Sequence, residues 1–310
     1  MSFLTRVRYM RYARQYVIFA VVTILIALGA LLVRGLNLGI DFTGGLLLDI
    51  QFEKTVTMEQ VRGAVSQALG MDAQIQQVEV KGGDNPEATE YLMRTPVLTD
   101  EQKAQLFAGL TQLSPYELVG EDAVSATVSS ELTRNALLAI AIALVLQVIY
   151  ISIRFEFRMG VTAVVALVHD MIITLGVLAL TQVEISSNFV AAALTVLGYS
   201  MNDTVVVLDR LRENLHSRRK DESFEEMCSR SIQEVVTRSI YTGVSVIMML
   251  VAMIVLGGST ILDLSVTMLV GTLAGTYSSI VVAAALWFLW ERNHQGGRHP
   301  SPAKARPAKA

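Results

Sequence analysis

The sequence predicts an α-helical polytopic membrane protein with six spanning helices and one α+β domain on the far side of the membrane, between the first and second spans. Composition is the first ground, since 52% of the 310 residues are hydrophobic and only 17% are charged, outside the usual soluble range. The second is six apolar runs of roughly 20 residues, the length that crosses about 30 Å of hydrocarbon. The third is the sorting of charge by sign along the chain.

The spans are expected at residues 15–35, 133–153, 159–181, 188–208, 238–257 and 262–290. A helix is the form each must take, because lipid offers no partner for an open backbone group. Arg6, Arg8, Arg11 and Arg14 before the first run give it the look of a secretory signal. Its length, its weak Ala27-Leu28-Gly29 cleavage site and the five spans that follow make it an uncleaved anchor instead.

Placing residues 1–14 in the cytoplasm also puts there Arg154, Arg158, the loop at 209–237 and the tail from 291. With Arg238 at the loop's end, that side then carries 18 of the 25 lysines and arginines, as the positive-inside rule requires. The tail from His294, rich in Gly, Pro and Lys-Ala repeats, reads as disordered. The single Cys228 makes no internal disulfide and reads as a buried or spectator thiol.

The segment at 36–132 holds 15 acidic and 5 basic residues, which argues against nucleic acid and anionic lipid as ligands. Its patterning is that of a folded domain. Leu46 to Phe52 alternates as a strand, Thr57 to Leu69 has helical spacing, and Gln74 to Val80 alternates again. After a turn at Gly82 to Pro86, Tyr91 to Val97 reads as a strand, Thr99 starts a helix through Leu110, and Tyr116 to Val119 is a last strand. The order βαββαβ is the ferredoxin-like split arrangement.

Candidate functional residues are the ionisable ones deep in the spans, where a charge costs at least ~2.5 kcal/mol unless it faces protein or water. Asp170, beside His169, lies eleven residues from either end of the third span. This pair is either on an ion path or a packing hydrogen bond to a serine or threonine of another span. In the fourth span Asn202 and Asp203 sit among Tyr199, Ser200 and Thr204, with Asp203 six residues before Asp209. Asp203 is thus roughly 9 Å inside the cytoplasmic boundary, too deep to snorkel. Arg238, Thr242 and Ser245 form a polar stripe on the fifth span, and Arg238 gains interest only by pairing with Asp203. Gly39, Gly44 and Gly45, around Asp41 and near Gly29 and Gly35, read as hinges or as ordinary turns. Gly257 and Gly258 invite the same two readings.

Two motifs, Gly39-Ile-Asp-Phe-Thr-Gly-Gly45 and the run from Gly198 to Asn214 (GYSMNDTVVVLDRLREN), together with the six-span layout, resemble the SecD/SecF family of the bacterial Sec protein translocase, within the resistance-nodulation-division superfamily. The resemblance implies an inner-membrane subunit, its large domain periplasmic. It would act with SecD on the SecYEG translocon, with room for a small YajC-like subunit, and use the proton-motive force to pull preproteins outward through a domain that holds them. It also implies an ion path at Asp203, Arg238 and Thr242, with protons as coupling ion and no metal or other cofactor, and a further carboxylate supplied by SecD. Membrane lipid surrounds the spans, and nucleic acid is not a partner. Protonation of Asp203 would weaken its attraction to Arg238, letting the spans repack and the outer domain swing.

Three rivals stand beside this reading. A proton-coupled exporter of small molecules or lipids is disfavoured by six spans where such pumps have twelve. An intramembrane aspartyl enzyme using Asp170 and Asp203 lacks a fitting motif, and the protein is read as no enzyme. A passive translocon scaffold would tolerate a neutral residue at Asp203.

Overall fold

In the computed structural model, residues 7–71, 73–78, 85, 87–219, 221–258 and 261–295 are described, residue 295 for its backbone alone. Arg6, the end of the expected strand at 79 and 80, most of the turn at 82–86 and the tail beyond 295 lie outside the described residues.

A 3₁₀ turn at Tyr9–Tyr12 leads into α1 (Ala13–Arg34), followed by a short α2 (Ile40–Thr43). The sheet segment comprises β1 (Gly45–Phe52), α3 (Met58–Leu69), β2 (Gln74–Val78), β3 (Thr89–Thr95), α4 (Asp100–Thr111) and β4 (Tyr116–Val124). Five long helical stretches follow: α5 (Ala126–Arg154), α6 (Phe157–Thr181), α7 (Ser187–His216), α8 (Phe224–Leu256) and α9 (Leu262–Tyr277). The last continues through a π-helical segment, Ser278–Ala283, into α10 (Ala284–Gln295). Six of these helices are long and apolar enough to cross a membrane, among the described residues.

Several helices overrun their expected spans. The span expected from 133 begins at Ala126, the one ending at 208 runs to His216, and the one expected from 238 begins at Phe224. Hydropathy registers only the stretch that needs lipid, whereas a helix closes its backbone bonds internally and continues into water at little cost. The early start of α8 is set by a capping box, in which Ser223 accepts from the Glu226 amide and the Glu226 side chain accepts from the Ser223 amide.

The chain divides into two compact units. In the sheet unit (37–140 with 184–190) the antiparallel strand order is β2-β3-β1-β4. One face of the sheet buries Leu46, Leu48, Ile50, Phe52, Tyr91 and Met93 against Val61, Val65, Leu106 and Leu110 of α3 and α4. Both helices start at capping boxes, Thr57 with Gln60 and Thr99 with Gln102. β3 stops at Thr95, short of the expected Val97, because Pro96 cannot donate to the ladder. β4 runs five residues past the expected Val119, since a register shift opposite Asp49 and Ile50 breaks its alternation without ending its pairing.

The GG segment belongs to this unit. Gly44 and Gly45 have φ of +71° and +133°, and a Cβ on Gly45 would stand 2.6 Å from the Thr95 carbonyl oxygen. Only glycine fits where β1 meets β3 this closely. Asp41 reaches the start of α7, its Oδ2 accepting from the Ser187 backbone amide at 2.6 Å, while the Gly39 amide donates to the Ile185 carbonyl. Asp41 and Gly39 thus hold Ile185 and Ser187, at the start of α7, within the unit.

The helical unit comprises residues 1–36, 141–183 and 191–310. α6, α7 and the last span form its interior, and α1, α5 and α8 turn broad apolar faces outward, among them Leu25, Ile26, Ile142, Leu146, Met248 and Val255. That is the composition of a surface solvated by lipid. Cys228 is fully buried.

Candidate functional site

Small residues let the interior helices meet. A Cβ on Gly275 would lie 2.9 Å from the Ser200 Cβ, so α9 and α7 touch at that point. Close contact brings serine hydroxyls, which have short reach, to carboxylates on neighbouring spans.

Asp203 on α7 is 7% exposed. Its Oδ1 accepts from Ser239 Oγ of α8 at 2.6 Å, and its Oδ2 accepts from Ser279 Oγ of the π segment at 2.5 Å. Asp170 on α6 is 1% exposed. Its Oδ2 accepts from Ser200 Oγ at 2.5 Å and Ser278 Oγ at 2.7 Å, and its Oδ1 lies 2.9 Å from His169 Nδ1. His169 Nε2 in turn meets the Tyr277 hydroxyl at 2.5 Å. Hydroxyl donors from two other helices thus stand in for water around each carboxylate, which is what a burial this deep demands.

The residues singled out from sequence fare differently. His169 and Asp170 come together, and both alternatives for them remain compatible with the serine contacts. The expected pairing of Asp203 with Arg238 is not formed: Arg238 is exposed, and Ser239, the next residue on α8, holds the carboxylate instead. Successive helix residues point about 100° apart, so when Ser239 faces Asp203 its neighbour faces away. Asn202 is likewise exposed, turned from the interior by the same geometry. Thr242 Oγ1 donates to the Arg238 and Ser239 carbonyls of its own helix and does not reach Asp203.

Ser239, Ser278, Ser279 and Tyr277 carry the contacts yet were absent from the sequence reading. Serine in a membrane helix is common at packing faces, so only a known partner carboxylate distinguishes them. The tandem Tyr277-Ser278-Ser279, directly before the apolar run Ile280 to Leu289, is the available signal.

The helices and the two enclosed carboxylates define a polytopic membrane protein with ionisable groups built into its interior. Comparison with known proteins places it further. The family model described as protein export membrane protein SecD/SecF, C-terminal, matches residues 105–293, and the SecD/SecF GG motif matches residues 29–56. The chain is 38% identical to the protein translocase subunit SecF of Sebaldella termitidis over 284 residues, 91% of each chain. It is 36% identical to that of Vibrio alginolyticus, covering 90% of this chain and 88% of the relative. Among solved structures it is similar to SecDF of Thermus thermophilus, a translocon-associated membrane protein, with a TM-score of 0.83 and 32% identity. That match covers 93% of this chain and spans 39% of the SecDF chain. The chain belongs to the SecD/SecF protein-export family.

Proposed function

We propose that this chain is a SecF-type subunit of the preprotein translocase that works with a SecD partner and draws on the proton-motive force. The relatives named protein translocase subunit SecF, matched along nearly their whole length, support the role in protein export. Fused relatives named SecDF, in Bacillus subtilis and Thermus thermophilus, support SecD as partner. Assembly with SecYEG, contact with a YajC-like subunit and engagement of the preprotein are proposed by extension. Relatives that are translocase subunits favour a part in transport over an enzyme.

In this reading the chain lies in the inner membrane with its termini cytoplasmic, on the positive-inside count. The sheet unit is a ferredoxin-like periplasmic domain, supported by the strand order β2-β3-β1-β4 and the two helical crossovers. Gly35, at φ +66° and one residue before the unit boundary, is a candidate pivot.

The observation that carries the coupling proposal is Asp203, buried in an apolar span and held, among the described residues, by neutral hydroxyls from two other helices. A carboxylate so placed changes its bonding when it gains or loses a proton, and the helices that supply those bonds must respond. Arg238 and Thr242 then act in a different arrangement of the spans, with Arg238 as the competing partner for the carboxylate. One proton crossing 100 mV supplies about 2.3 kcal/mol, so several are consumed per large movement. Asp203→Asn should abolish proton-driven export from vesicles containing the reconstituted complex while leaving its assembly intact. Normal export by that variant would leave a passive scaffold as the surviving reading.

A further inference from the structure

Three consecutive residues of the last span engage three ionisable groups on two other spans. The Tyr277 hydroxyl meets His169, Ser278 donates to Asp170, and Ser279 donates to Asp203. Consecutive positions point about 100° apart on a helix, so a single turn faces α6 with one serine and α7 with the next.

Each of these serines also has a second acceptor. Ser278 Oγ lies 3.3 Å from the Gly275 carbonyl, and Ser279 Oγ lies 3.2 Å from the Thr276 carbonyl. This matters because an ionised carboxylate only accepts hydrogen bonds, whereas a protonated one also donates. When the carboxyl gains a proton and donates to the serine oxygen, the serine's own hydrogen needs another acceptor. The carbonyl one turn back provides it. The serines stand where the helix changes to i→i+5 bonding, and the Ser278 amide is there shared between the Ala274 and Gly275 carbonyls. Such π turns break the regular ladder and occur often at functional sites.

We propose that Ser278 and Ser279 are paired readers of proton state: each rotates its hydroxyl between a carboxylate and the carbonyl one turn back, so that Asp170 and Asp203 are linked through one π turn of the last span. The one covalent change is the O–H bond that forms when a carboxylate takes up its proton; each serine–carboxyl hydrogen bond then reverses its direction and the serine hydrogen turns to the carbonyl. The proposal rests on the coupling role of Asp203. Around Asp170 the other titratable groups among the described residues are His169 and Tyr277; on the α8 side of Asp203, Arg238 precedes Ser239 in the chain. Ser278 and Ser279 are positioning residues, acting through the carboxylates.

The test uses the complex with its SecD partner in proteoliposomes, with Ser278→Ala, Ser279→Ala, the double variant and Ser279→Thr. Proton-driven preprotein release is measured against pH, alongside infrared spectra in which the carboxyl carbonyl bands of Asp170 and Asp203 are assigned by Asp170→Asn and Asp203→Asn. The single alanine variants should fold and assemble, since they lose only an oxygen. Ser279→Ala should lower release on the order of tenfold, the loss of one hydrogen bond to a charged group. It should also alter the pH profile and move both assigned bands, and Ser279→Thr should restore all three. Unchanged bands and pH profile in the double variant overturn the proposal, as does movement of the Asp203 band alone. If Asp203→Asn is inactive while the serine variants behave as wild type, the coupling role stands and only the serine link falls. If Asp203→Asn is active, the coupling role itself is lost.

Discussion

Gly275 of the last span and Ser200 of α7 are in direct contact: a Cβ on the glycine would lie 2.9 Å from the serine Cβ and 3.2 Å from its Oγ. The same Ser200 hydroxyl donates to Asp170. The glycine therefore sets the distance between two helices and, through it, the position of a donor to a buried carboxylate.

Gly275→Ala is expected to push α9 from α7 and cost about 1–3 kcal/mol, as overpacking of a tight interior does. Thermal unfolding in detergent should show a lowered midpoint, and proton-driven export should fall with it. Gly198→Ala, on α7 with open space around the added methyl, serves as the control: it should leave export unchanged and the midpoint unlowered, or slightly raised as for any mid-helix glycine.

Gly45→Ala should destabilise the sheet unit by about 1–3 kcal/mol through its backbone conformation alone, with the contact to the Thr95 carbonyl added. Gly63→Ala, in the middle of α3 with nothing within 4 Å, should stabilise it by about 0.5–1 kcal/mol. Hydrogen exchange of the β1 and β3 amides in the whole chain reads both effects. Equal protection in the two variants would contradict the close approach.

A pH dependence is expected from Asp49 and Glu90, neighbours on the face of the sheet opposite α3 and α4. Burial pushes both carboxyls above their ordinary values of 3.8 and 4.5, and the Asp49 charge raises Glu90 further. A carboxyl whose folded value is raised stabilises the fold below its unfolded value, and that stability is lost as pH rises through the folded value. The sheet unit should therefore weaken between mildly acidic and neutral pH. Glu90→Gln should flatten that fall, with a gain at neutral pH below about 1 kcal/mol because partial exposure screens the pair. Exchange rates of β1 and β3 amides at the two pH values measure it; a wild-type profile already flat would remove the basis for the expectation.

The identity of the elements was legible because each rests on a local or one-dimensional signal. Lipid imposes apolar runs on spans, Thr57 and Thr99 mark helix starts through their own side chains, and alternation reveals β1. Where those signals stop short of the element, its true end leaves no mark in the sequence. α7 continues past Asp209 and α8 begins at Phe224 in water-compatible sequence, and the bulge opposite Asp49 hides the second half of β4.

The site was half legible. Asp170 and Asp203 stood out because a carboxyl in an apolar run has a cost that any reader of the sequence can estimate. Their partners did not, because which helix lies beside which, and which residue of a turn faces inward, depends on rotation and packing that no periodicity in one helix encodes.

By itself, then, the amino-acid sequence determined that six runs are long and apolar enough to cross a membrane as helices, that a βαββαβ segment separates the first two, and that two acids lie deep within such runs. Tertiary structure alone decided that Ser239 rather than Arg238 meets Asp203, and that adjacent serines in one π turn serve two different carboxylates. The physical reason is reach. Burial of an acid follows from its own neighbours along the chain, but a hydroxyl donates only within about 3 Å, and contacts that short are set by how whole helices dock.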